Sequence, residues 1–136
     1  MKNRIFILIL ILISIVGWQC RSARDGAGVK AEVIAHDSTQ YELVVMDSGY
    51  EQFLASEAKP INFYSNEYYS SWNQRYVTEW NIRCHNPRRY GSFYVMPIDY
   101  SPHVDYGIEL NYRLYNYFLF IERDYRIVLV PRGLSR

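Results

Sequence analysis

Asp105 and Glu109 stand four residues apart in a stretch of helical patterning. That spacing puts two carboxylates on one helix face, as a paired acid and base would need. The same spacing has a structural use, with Asp105 capping the helix and Glu109 pairing with Arg113 one turn on. Other reactive or charged groups gather at two neighbouring borders. Residues 80–90 hold Arg83, Cys84, His85, Arg88 and Arg89, and residues 98–107 hold Asp99, His103 and Asp105. Arg83, His85, Arg88, Arg89, Asp99, His103, Asp105 and Glu109 together are the candidate binding cluster. The same set would equally make a structural ion-pair network. A histidine can act as a base or metal ligand, yet His85 and His103 sit beside a helix end and a proline turn, where an exposed histidine is ordinary. Cys84 lies between Arg83 and His85, which favours a thiolate, but it also falls on an aromatic repeat that reads as core. No nucleophile elbow, zincin motif, phosphate loop or dinucleotide fingerprint occurs, so no catalytic residue is assigned. Paired Cys/His spacing is absent, and neither a metal nor a cofactor is expected.

The elements that must position these groups are two long helices. Residues 105–125 read mostly as one helix, with apolar or aromatic side chains at ten positions between Ile108 and Ile121, too many for one stripe, and Glu109, Arg113, Asn116 and Arg123 as a thin polar face. This predicts a central helix with neighbours on two or three sides. Residues 65–85 form the second, with Ser65 as N-cap and Glu67 in the first turn. Tyr68, Trp72, Tyr76, Trp80 and Cys84 recur every four residues as a seam, widened by Tyr69 and Val77. Glu79 and Arg83 form an i,i+4 pair, and Asn86-Pro87 stops the helix. A short helix is expected over residues 50–58.

Residues 41–46 and 127–130 are the strongest strand candidates, and the first is apolar enough to be buried on both faces. A buried strand needs a backbone partner, so the two are expected to pair with each other. Residues 92–98 read as a short edge strand, since Pro97 bars a central place. The expected fold is α+β: a helix-rich single domain over residues 41–136, with a small sheet formed by its first and last elements. Arg132, near the terminus, is expected to contribute little.

Ahead of that domain lies a targeting segment. Lys2 and Arg4 precede an apolar run over residues 5–16, too short for a membrane span, and Cys20 follows. This predicts a lipoprotein-type signal peptide over residues 1–19, fatty acylation at Cys20, and a tether to residue 40 in which residues 33–35 are extended. Gly17, Trp18 and Gln19 depart from the small residues usual before an acylated cysteine. An uncleaved anchor, plain secretion, and a Cys20–Cys84 disulfide are the alternatives. The net charge is +1, and removal of residues 1–19 takes away two basic and no acidic residues. Nucleic-acid binding is therefore not expected. Every basic residue after Lys59 is arginine and shares its region with nearly all of the 14 tyrosines. Arg–Tyr packing at a core edge explains this, and an anion- or sugar-binding surface would also use it.

Three runs carry a resemblance: Tyr-Glu-Leu-Val-Val-Met-Asp-Ser-Gly-Tyr from residue 41, Tyr-Val-x-Glu-Trp-Asn with Asn-Pro-x-Arg-Tyr-Gly from residue 76, and Ile-Asp-Tyr-x-Pro with Asp-Tyr-Gly-x-Glu-Leu-Asn-Tyr-x-Leu-Tyr-x-Tyr-Phe from residue 98. Over residues 41–130 the chain resembles a family of small Bacteroidota lipoproteins whose domain has no known function. The resemblance implies a bacterial cell-envelope location and a lipid anchor at Cys20, and it supplies no activity. The leading expectation is a non-enzymatic module that binds or supports an envelope partner. A glycan- or peptidoglycan-binding domain is the second reading, and a hydrolase using Asp105 and Glu109 the third.

Overall fold

The computed structural model describes residues 30–37 and 40–133. A hairpin of β1 (Ala31–Asp37) and β2 (Gln40–Val45) leads into α1 (Ser48–Ser56) and a 3-10 turn at Ile61–Phe63. The long helix α2 (Asn66–Cys84), the single turn α3 (Pro87–Tyr90) and the long helix α4 (Gly107–Asp124) follow. The fold is α+β, as the patterning predicts. Among the described residues no helix is long and apolar enough to cross a membrane.

Helix α4 is the centre. Leu110, Leu114, Tyr115, Tyr117, Phe118, Phe120 and Ile121 are all buried along it. They face different directions, so α4 needs cover on several sides. Helix α2 covers one side, α1 another through Tyr50 and Phe53 against Phe120, and β2 a third through the Tyr41–Tyr106 contact. The polar face is thinner than expected. Asn116 is buried and returns its amide to the Tyr112 carbonyl, while Arg113 reaches Glu51 on α1.

Contacts between α2 and α4 climb both helices together: Asn66 with Asn111, Tyr69 with Tyr112, Tyr76 with Phe118 and Glu122. The helices therefore run side by side in the same direction. Residues 85–106 must travel back along α2, whose 19 residues span about 28 Å. That return path is irregular, and α2 side chains satisfy its backbone. The Trp80 indole donates to the Met96 carbonyl, Asn81 brackets both backbone groups of Ile98, and the Tyr100 hydroxyl reaches Ser70 and Asn111. Residues 92–98 thus make no strand, because Asn81 and Trp80 take the place of a sheet neighbour.

The expected sheet is corrected in the same way. Residues 41–46 pair antiparallel with Ala31–Asp37, in the register Ala31–Val45, Val33–Leu43 and Ala35–Tyr41, and not with residues 127–130. One face of the hairpin, with Ala31 and Leu43 buried, packs on the core. The other face is not apolar cover for anything: Glu32 and Ile34 lie opposite Val44 and Glu42, and Met46 beyond them is 71% exposed. Ala31–Asp37, inside the stretch expected to be tether, is therefore a strand of the domain. Residues 127–130 follow a left-handed turn at Arg126, φ 53°. Leu129 plugs into the core, the N–H groups of Leu129 and Val130 donate to Glu122 Oε1, and Arg83 donates to the carbonyls of Val128 and Leu129. Two side chains do there what a neighbouring strand would have done.

Candidate functional site

The eight residues of the candidate cluster fall into two groups. Arg83 is built into the fold. Its Nε donates to Glu79 at 2.7 Å, its Nη1 to the Tyr94 hydroxyl at 2.9 Å, and its Nη2 to the tail carbonyls. The expected Glu79–Arg83 pair is thus present. The other seven are exposed. His85 is the C-cap of α2, its Nδ1 2.6 Å from the Asn81 carbonyl. Arg88 and Arg89 sit on α3, Arg89 over the Tyr90 ring. The His103 N–H donates to Ser101 Oγ, and Asp105 Oδ1 accepts from the Gly107 N–H at the start of α4. Glu109 lines a shallow cleft with Tyr41, Tyr106 and Arg113, and Asp105 is not among the lining residues. Arg113 pairs with Glu51 rather than with Glu109. Asp99 makes no ion pair among the described residues.

The aromatic seam is core. Tyr76 and Trp80 are fully buried, and Tyr68, Trp72 and Cys84 pack against the buried set. Cys84 is partly buried and has no disulfide partner among the described residues; Cys20, and with it the Cys20–Cys84 alternative, lies outside them. Of the large aromatic side chains described, Phe63 is the one that is mostly exposed. Among the described residues no group of three or more histidine, cysteine or acidic side chains is placed to hold a metal ion.

Arg132 forms a site that the sequence reading passed over. Its guanidinium lies 5.0 Å from the Trp72 ring centre, 5.4 Å from Tyr115 and 5.7 Å from Tyr76. Nη2 donates to the Tyr76 hydroxyl at 2.6 Å, and that hydroxyl donates to Glu122 Oε2 at 3.1 Å. Burial works against the charge on Arg132, but its hydrogen bonds to Tyr76 and Tyr115 outweigh burial and hold its pKa above the ordinary value. Burial pushes the Tyr76 phenol up to about 12, and raises that of Tyr115 as well. Arg132 and Tyr115 line a small pocket of about 210 Å³ with Tyr64, Lys59, Phe53 and Leu119. Far from contributing little, Arg132 fastens the tail to the aromatic face of the two long helices.

The family of unknown function DUF6146 matches residues 4–136. The chain belongs to that family. No curated protein and no solved structure matches the chain. Membership spans both the N-terminal apolar run and the folded domain, and it assigns no chemistry to either. A signal for Arg132 was present in the sequence, in the exclusive use of arginine among tyrosines after Lys59. The seam and the tail are about fifty residues apart, so only the folded chain shows which arginine meets which rings.

Proposed function

We infer that this DUF6146 member is a lipid-anchored module of the bacterial cell envelope that acts by binding a partner. The anchor reading rests on Lys2 and Arg4, the apolar run over residues 5–16 and Cys20. Its partner is an envelope protein or glycan, met on the periplasmic or surface face of a membrane. The observation that favours binding over catalysis is the disposition of Asp105 and Glu109: both are exposed, Asp105 does not line the cleft that Glu109 lines, and Asp105 serves as a turn acceptor for Gly107. A general acid and base need a common reactant within hydrogen-bond reach. Among binding modes, a glycan platform of stacked rings draws less support, because sugar faces need exposed aromatic rings and most of these rings are turned inward.

Feeding cells a labelled fatty acid and comparing the wild-type chain with Cys20→Ser tests the anchor. The wild type is expected to carry label and sediment with membranes, and the variant to carry none and leave the membrane fraction. Equal labelling of the two proteins refutes acylation at Cys20.

A further inference from the structure

Arg132 meets the fold through phenols and ring faces, where three other arginines meet it through carboxylates. Arg83, Arg113 and Arg123 each hold a carboxylate: Glu79, Glu51, and Glu57 with Asp124. Arg132 has no carboxylate within ion-pairing distance among the described residues. Its nearest acid, Glu122, is reached only through the Tyr76 hydroxyl, and Glu122 already accepts from the N–H groups of Leu129 and Val130. The Tyr76 hydroxyl accepts from both Nε and Nη2, so phenol oxygen and ring faces, and no carboxylate, meet the guanidinium among the described residues. The pocket beside Arg132 has one other cation among its lining residues, Lys59, whose ammonium lies over the Phe63 ring. The acid on the pocket wall, Glu57, is held by Arg123. Positive charge is thus in excess there. The tyrosines contribute phenol groups, which donate hydrogen bonds, and Phe53 and Leu119 make an apolar wall.

We propose that this pocket binds a carboxylate carried on a compact apolar group, with Arg132 as the donor, the Tyr64 and Tyr115 phenols and the Lys59 ammonium lining the same pocket, and Phe53 and Leu119 against the apolar body. A planar guanidinium matches a carboxylate's two oxygens. The space of about 210 Å³ admits one group the size of an amino-acid residue and not an extended chain. Both a free acid and the terminal residue of a peptide offer this chemistry. The site stands whether or not Cys20 is acylated, since its residues all lie on the folded domain.

The test uses the full chain in detergent micelles with tyrosine labelled for NMR. The probes are N-acetyl-leucine and acetyl-Gly-Gly-Leu, each as the free acid and as the C-terminal amide. Saturable shifts of the Tyr64 and Tyr115 signals are expected with acid and not with amide. Binding of N-acetyl-leucine alone assigns a small-molecule ligand, and binding of both acids extends the site to a peptide end. Arg132→Gln should weaken acid binding about tenfold or more, the scale of a lost charged hydrogen bond. If Arg132→Gln does not fold, Lys59→Glu, on an exposed side chain, decides the matter by a loss of several-fold. Equal shifts from acid and amide, no saturation up to about 20 mM, or full affinity in the deciding variant overturns the site.

Discussion

Replacing Trp80 with alanine tests the seam where it is most buried. Trp80 is 1% exposed, and its ring packs against Tyr94 at 4.9 Å, Tyr117 at 5.8 Å, Phe93 at 6.0 Å and Phe118 at 6.2 Å between centres. These neighbours come from α4 and from the return segment, so no single element can move in to fill the space. A tryptophan-to-alanine change at such a site costs about 3–5 kcal/mol. The Met96 carbonyl also loses the indole N–H, adding about 1 kcal/mol if water cannot replace it. A domain of this size has only about 5–15 kcal/mol in total. With a urea slope of about 2 kcal/mol per molar, the unfolding midpoint followed by far-UV circular dichroism should fall by about 2 M. Trp80→Phe retains most of the packing and loses the hydrogen bond, so its midpoint should fall by less than about 1 M. A drop below about 0.5 M for Trp80→Ala, with an unchanged slope, would show that the indole does not join the two helices to the return segment.

Asp47 ties the start of α1 to the end of α4, accepting from the Gly49 N–H at 2.8 Å and from the Tyr125 hydroxyl at 2.5 Å. Asp47→Ala should therefore cost about 2–3 kcal/mol and Tyr125→Phe about 1 kcal/mol in the same denaturation assay, and equal losses would contradict the double role. Alkaline stability should follow Tyr76. Burial raises its pKa from an ordinary 10.0 to about 12, so the unfolded chain loses that proton first. Its contribution is complete below pH 10 and is lost as pH climbs toward 12. The urea midpoint should fall over that window, and Tyr76→Phe should flatten the fall; an identical pH profile in the variant would remove Tyr76 as its source.

The two long helices were legible because their aromatic spacing leaves no alternative period. Ser65 caps α2 as expected, its Oγ accepting from the Tyr68 N–H, and the arginine-for-lysine bias does report Arg–ring packing, at Tyr50, Phe53, Tyr90 and Tyr94 as well as at the seam. The sheet was misread for a physical reason. The partner of β2 is Ala-Glu-Val-Ile-Ala-His-Asp, a run with two acids and two alanines that has little strand character of its own. It becomes a strand because it pairs antiparallel along β2's edge and can bury Ala31 and Val33 beside Leu43. Residues 127–130 look far more like a strand and are not one. Composition reports that a segment is buried; it does not report whether a strand or a side chain will meet its backbone.

That distinction also separates the arginines. Of the three nitrogens of Arg83, each already donates, to Glu79, to Tyr94 and to the tail carbonyls, and any ligand would have to displace Leu129's anchorage to reach it. Arg113 is committed to Glu51 and Arg123 to its acids. Asn81 and Trp80, beside Arg83, are consumed by the return segment that the parallel helix pair requires. The cluster that drew attention in the sequence is therefore where the fold spends most of its polar side chains on its own backbone. Arg132 is different in kind. Its bonds run to two phenols and its plane to ring faces, its charge meets no acid directly among the described residues, and a pocket with further phenols opens beside it. A ligand carboxylate could complete its coordination without breaking any contact that holds α2 to α4.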